Sequence, residues 1–318
     1  MQTVAITTPV YRSAAPLASV AMGLAAAMLL CCPSLSALAQ TATPAPPLIA
    51  QPANKSAYWL FNPTPRHLMR EMSTDRPDTT ESPHTVDAGH IQLELSFIDW
   101  TYDRRNEDGV TTRSLAVAPV LIKFGLTNSI DLQIGLDPYT DTHIKDRATG
   151  DSDSHDGFGD TLLRVKFNIW GNDAPDEDFG GTSLAIMPYV SFPTATDGLG
   201  SDHTDWGIII PLGLELPGEF GLGAMIEFDF SRSASDDRTV VDFVHTLTLG
   251  HALIGDLSGY IEYAGFANLN HDQRYRAYFD AGLTYALTPD LQLDAGLRVG
   301  LTKASDDIGL FVGMSYRF

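Results

Sequence analysis

The 318-residue chain has only two cysteines, Cys31 and Cys32, side by side near the N-terminus. Everything downstream is without a disulfide, a thiolate metal site or a cysteine nucleophile. Cations are scarce as well: 20 Lys and Arg stand against 40 Asp and Glu, for a net charge of −20. No stretch clusters the basic residues, which argues against nucleic acid as a partner, because phosphate recognition needs a basic face. Apart from Leu17–Leu30 there is no long apolar run. That removes a bundle of membrane helices, each of which needs about 18 or more apolar residues. Hydrolase and nucleotide-binding signatures are missing too: neither G-x-S-x-G nor G-x-x-x-x-G-K occurs. No catalytic residue and no cofactor is assigned, and the chain does not read as an enzyme. The acidic stretch Asp141–Gly157 carries Asp151, Asp153 and Asp156, but its spacing misses the D-x-D-x-D-G calcium loop by one residue. It reads as a solvated outer loop, and no metal site is assigned.

What is present begins with an address. Residues 1–39 hold one charge, Arg12, then the apolar run, then Ala37-Leu38-Ala39. A basic start, a short apolar core and a small-x-small site make a secretory signal peptide, with cleavage near Ala39. Residues 40–57 are rich in Pro and Ala and read as an extended linker. Residues 58–88 form an N-terminal segment dense in turn formers, with a turn or two of helix over 65–72 starting at Thr64 and Pro65.

From Gly89 to Phe318 the dominant period is two. Ala277, Phe279, Ala281, Leu283, Tyr285 and Leu287 make an apolar face opposite Tyr278, Asp280, Gly282 and Thr284. Such alternation places the two sets on opposite faces of a sheet. Twelve segments of this kind can be counted, the second and fifth weakened by Pro119 and Pro188. Long polar connections alternate with short ones, so all the long loops lie at one end. That is the habit of an antiparallel up-and-down barrel in a Gram-negative outer membrane. Aromatic residues sort to the two ends, Trp100, Tyr139 and Trp206 near the long loops, Trp170, Tyr285 and Tyr316 near the short turns. The fold class is therefore all-β, a transmembrane β-barrel of about twelve strands over 89–318. Residues 58–88 then belong at or inside the periplasmic mouth of this barrel. The last strand ends on Phe318, resembling the C-terminal signal read by the barrel-assembly machinery. The other partners are outer-membrane lipid and a small-molecule solute.

The inward positions are polar or small. Candidates to line a pore are Glu94, Arg164, Lys166, Glu227, Asp229, Glu262, Asp280, Asp294 and Arg298. Eight-stranded barrels are filled by side chains and those of 16–18 strands hold a water channel, so twelve strands permit either a narrow polar pore or a lumen closed by paired charges.

Four pieces carry a resemblance to a known family: Ser73–Glu94 with its T-D-R-P-D, Ala118–Leu136, Gly157–Trp170 with G-x-G-D-x-x-x-R-x-K, and Pro188–Gly198. Together they resemble the outer-membrane transporters of the MetA-pathway of phenol degradation, over roughly residues 58 to 318. Where that family has P-T-G after the fifth strand, this chain has Pro193-Thr194-Ala195. The resemblance implies a β-barrel that moves small solutes, aromatic or hydrophobic compounds among them, by passive diffusion. Two other readings stay open: a surface barrel acting as an adhesin or structural protein, and a soluble secreted β-sandwich that binds a ligand.

Overall fold

The computed structural model of the chain describes residues 54–104, 109–173, 181–196, 198–233, 238–270 and 273–318. The signal peptide and most of the linker lie outside the described residues, as does much of the connection over 171–181.

Where apolar and polar residues alternate, the backbone is extended and paired. The strand segments are β1 (Ile91–Asp103), β2 (Val110–Val117), β3 (Val120–Thr127), β4 (Ile130–Leu136), β5 (Tyr139–Asp146), β6 (Ser152–Gly157), β7 (Thr161–Trp170), β8 (Thr182–Phe192), β9 (Asp205–Leu216), β10 (Phe220–Arg232), β11 (Thr239–Ile254), β12 (Leu257–Asn268), β13 (Arg276–Thr288), β14 (Leu291–Gly300) and β15 (Ile308–Arg317). All pairings are antiparallel, and β15 pairs with β1 from Gln92↔Arg317 to Tyr102↔Ile308. The sheet is closed. Closure excludes a two-sheet sandwich and leaves no free edge around the ring, the condition a sheet must meet in hydrocarbon; β6, paired only with β5, is the one edge among the described segments.

The fifteen segments make twelve barrel strands, because three strands are each broken in two. The breaks fall at Ala118–Pro119, Asp137–Pro138 and Phe158–Asp160, and β1 shifts register between Ser96 and Ile98. These interruptions lie side by side, since Val117 faces Ile98 and Tyr139 while Val120 faces Leu95 and Leu136. Proline explains two of them, for it cannot donate to the ladder. Ala118 takes a positive φ of 59° to pass the step. Pro188, in contrast, sits within an unbroken β8. Beyond the line of breaks, β5 and β6 pair from Thr140↔Gly157 to Lys145↔Ser152. The acidic stretch over 141–157 is thus mostly an exposed hairpin rather than the loop its composition suggests. Every other residue still faces the same side there, and the turn is confined to 147–151.

The outer face is greasy. Leu247, Ile261, Leu283, Leu310 and Val312 are all exposed. The side chains inside are the buried ones, and most are polar. This inversion relative to a water-soluble fold marks a wall whose outer solvent is lipid. Trp206 stacks on Phe230 at 4.1 Å near one rim, and Tyr316 meets Phe318 edge-on at 4.6 Å near the other.

Candidate functional site: a latched segment inside the barrel

Residues 54–71 lie at the rim, where Trp59 and Phe61 are exposed and Leu60 N donates to the Leu126 carbonyl at the end of β3, and residues 72–88 run inside the lumen. The helix of this segment is a single 3₁₀ turn, Arg66–Leu68, shorter than the turn or two expected over 65–72. Met69 is already extended, and Arg70 is drawn to Asp87 through a backbone N–H bond of 3.1 Å and a guanidinium contact of 3.3 Å. Prolines 77 and 83 keep the rest irregular. An irregular backbone inside a barrel has unpaired N–H groups that need acceptors. The barrel supplies them from its inward carboxylates. Asp75 N donates to Glu94 Oε2 at 3.0 Å, Thr79 and Thr80 N to the two oxygens of Glu262 at 2.8 and 2.7 Å, and Val86 N to Asp131 Oδ2 at 3.0 Å.

Ion pairs lock the same segment sideways. Asp75 meets Lys123, Lys166 Nζ at 2.6 Å and Arg164 Nη2 at 3.5 Å. Burial alone would raise the Asp75 carboxyl, but these three cations outweigh it and hold it well below the usual carboxylate range. Arg76 donates to Asp294 through Nη2 at 2.6 Å and Nε at 3.3 Å, and also reaches Ser96 Oγ. Glu81 takes both terminal nitrogens of Arg164. Nearer the periplasmic rim, Asp87 is fully buried among Lys55, Arg70 and Arg317. The chain passes so close to β3 here that a Cβ on Gly125 would stand 2.1 Å from the Asp87 carbonyl oxygen.

This segment divides the lumen into two chambers. Arg76 and Glu81 line both, so their pairs with Asp294 and Arg164 form the partition. The chamber on the long-loop side is two-faced. One part of its wall is acidic, with Asp99, Glu227, Asp229 and Asp306. The other is apolar: Ile209 and Phe266 line it, continuous with an inner cluster of Met187, Met225, Val244, Ala264 and Tyr278.

Of the nine pore-lining candidates, Glu94, Arg164, Lys166, Glu262 and Asp294 touch the inner segment. Glu227 and Asp229 stand in the outer chamber, where Asp229 accepts from the Tyr189 hydroxyl. Asp280 and Arg298 are buried beside each other on β13 and β14. Sequence reasoning did not single out Lys123, although it lies on the lumen side of β3 two residues before Gly125. It also missed the segment's own Asp75, Arg76 and Glu81, whose signal was a run of charges of both signs among fixed prolines. The inward apolar cluster was missed because an apolar residue on either face of a strand reads as belonging to the lipid side.

The family model described as "Putative MetA-pathway of phenol degradation" matches residues 74–318. Among solved structures, an outer membrane channel from Pseudomonas putida F1 has a TM-score of 0.54 at 14% identity, covering 77% of this chain and 100% of that one. A monoaromatic hydrocarbon channel has a TM-score of 0.41 at 11% identity, covering 72% of this chain and 87% of that one. No curated protein matches the chain.

Proposed function

The chain belongs to the phenol-degradation family whose model spans residues 74–318, and on that premise we propose that it is a non-enzymatic outer-membrane channel for small solutes. Residues 58–88 act as a plug, and opening needs the plug to shift. Solutes move by passive diffusion, since no nucleotide-binding or hydrolytic motif supplies a driving reaction. The observation that carries the reading is the divided lumen: two chambers meet at a partition held by Arg76–Asp294 and Glu81–Arg164. The apolar arc around Phe266 and Ile209 points to aromatic or hydrophobic compounds, because a flat apolar molecule there loses water-exposed area on both surfaces. The nine inward charged residues line its route, with outer-membrane lipid around the barrel. The signal peptide is removed near Ala39, and the strand ending at Phe318 is handed to the assembly machinery.

Purified protein in planar bilayers should give conductance steps, and these should grow when residues 40–85 are deleted. Benzylammonium should block the enlarged steps at concentrations where butylammonium does not. If both forms stay silent, the channel reading fails. If the two amines act alike, only the aromatic preference fails.

A further inference from the structure

Tyr58-Trp59-Leu60-Phe61 is an apolar run at the rim that takes no part in latching the plug. It forms a tight turn fastened to the barrel wall. Trp59 and Asn62 exchange backbone bonds of 3.0 and 2.8 Å, and Leu60 N donates to Leu126 O at 2.9 Å. Behind the turn, Thr64 N donates to Ala88 O at 2.9 Å, and the His90 ring spans Thr64 O and Phe318 O at 2.8 Å each. A Cβ on Gly89 would stand 2.6 Å from Pro63, so the chain lies tightly against the start of β1. The turn is thus held in place, yet its two largest side chains are uncovered: Trp59 is 50% and Phe61 77% exposed. Their rings meet edge-on at 5.1 Å.

The ladder gives the direction in which they point. Trp59 bridges Thr127, Thr127 is the partner of Ile130, and Ile130 is the partner of Phe167. Residues directly opposite each other in a ladder share a face. Phe167 lies on the outer face of β7, because its neighbours Lys166 and Asn168 both bond to the plug inside. Trp59 therefore prolongs a row of the lipid-facing surface, at the end of the barrel where Tyr316 and Phe318 also lie. Charge agrees with this placement. All 40 acids of the chain follow residue 70, and residues 54–70 contribute Lys55, Arg66 and Arg70 instead. Of these, Arg66 carries its side chain 68% exposed beside the turn. Aromatic rings continuous with a lipid-facing wall, next to an exposed cation, suit the headgroup level of a phospholipid leaflet.

We infer that Trp59 and Phe61 insert into the periplasmic leaflet of the outer membrane, making the turn over 58–61 a lipid anchor just ahead of the plug. The inference goes beyond the channel reading, since it concerns no solute and no movement of the plug. It asks only that the barrel span a membrane.

Tryptophan fluorescence tests it, because Trp59 is one of only four tryptophans. The whole purified protein carrying Trp100→Phe, Trp170→Phe and Trp206→Phe reports on Trp59 alone, and a heat-modifiable gel shift reports folding. In vesicles of phosphatidylcholine brominated near the top of its acyl chains, Trp59 should lose most of the emission it has in unbrominated vesicles. Acrylamide added to the water should quench it little. If the triple variant does not fold, Trp59→Phe alone decides: it should reduce the emission that bromine removes from the otherwise unaltered protein. Emission from Trp59 that ignores bromine overturns the inference. Strong quenching by acrylamide would then place the ring in water, and protection from both quenchers would place it against a second copy of the chain.

Discussion

Replacing Asp75 with asparagine should loosen the plug more than any other single change of charge to amide in it. Asp75 is held by three buried cations of the barrel wall, Lys123, Lys166 and Arg164. Asp87 also meets three cations, but two of them, Lys55 and Arg70, belong to the inner segment itself and move with it. Removing one partner of a buried ion pair costs about 3–5 kcal/mol. Here part of the loss is recovered, because Lys123 keeps Glu94 and Arg164 keeps Glu81. The lower end, about 3 kcal/mol, is therefore the better figure and corresponds to roughly a hundredfold shift towards the released plug. The absence of cysteine after Cys32 provides the assay. A Thr80→Cys reporter, placed in protein processed past that point, carries one thiol that is buried against Glu262 while the plug is latched. Its rate of modification by a maleimide follows the population with the plug released. Adding Asp75→Asn to the reporter should raise that rate by about a hundredfold, with the reporter alone as reference. A rate unchanged by the substitution would refute the argument that these ion pairs hold the segment in place. Arg66→Gln is the control: it removes the Asp290 pair at the rim, where Arg66 is 68% exposed, and should leave the rate almost unaltered.

Two further outcomes concern the wall. Gly125→Ala pushes a Cβ into the Asp87 carbonyl and should cost about 1–3 kcal/mol as overpacking, read as faster labelling of the same reporter with the heat-modifiable shift retained. Leu247→Arg, on the outward face at mid-strand of β11, should destabilise the barrel in lipid by about 2–4 kcal/mol, whereas Leu253→Arg beside the turn should cost about 0–1 kcal/mol; denaturant titration in vesicles checks the pair, and equal costs would mean that the outer face is not set across a bilayer.

The barrel was legible in the sequence because its signal is repeated. Alternation in β13, β14 and β15 fixes which residues face out, and each short turn repeats the same information. One strand misread would not have changed the count. The line of breaks was half legible: Pro119 announced a lost ladder bond and delivered a split strand, while Pro188 announced the same and did not. The difference is in the neighbours. Pro119 follows Ala118 at a positive φ, beside the register shift of β1 and the break at Pro138, so several strands step together. Pro188 has no such company in β8. The hairpin over 139–157 was hidden for another reason. Its residues are charged on both faces, so period two leaves no contrast in hydrophobicity to detect.

The plug was legible only as a segment too ordered in composition to be linker. Nothing local dictates its path: it has one 3₁₀ turn and isolated bridges, and its prolines forbid more. Its conformation is imposed by the lumen, which presents carboxylates to bare N–H groups and cations to Asp75, Glu81 and Asp87. This also accounts for the polarity of the barrel's interior. Glu94, Arg164, Lys166, Glu262 and Asp294 read as pore lining in a sequence that omits the third dimension, yet each is committed to the segment that fills the pore. A charged residue on a lumen face therefore has two uses that sequence cannot separate, facing water or facing a plug, and the division falls along strands. The arc from β12 through β14 and β1 to β7 holds the plug by charge, with Glu262 at one end and Arg164 and Lys166 at the other, while the arc from β8 to β11 carries the apolar Met187, Ile209, Met225 and Val244 beside the acidic Glu227 and Asp229 of the outer chamber.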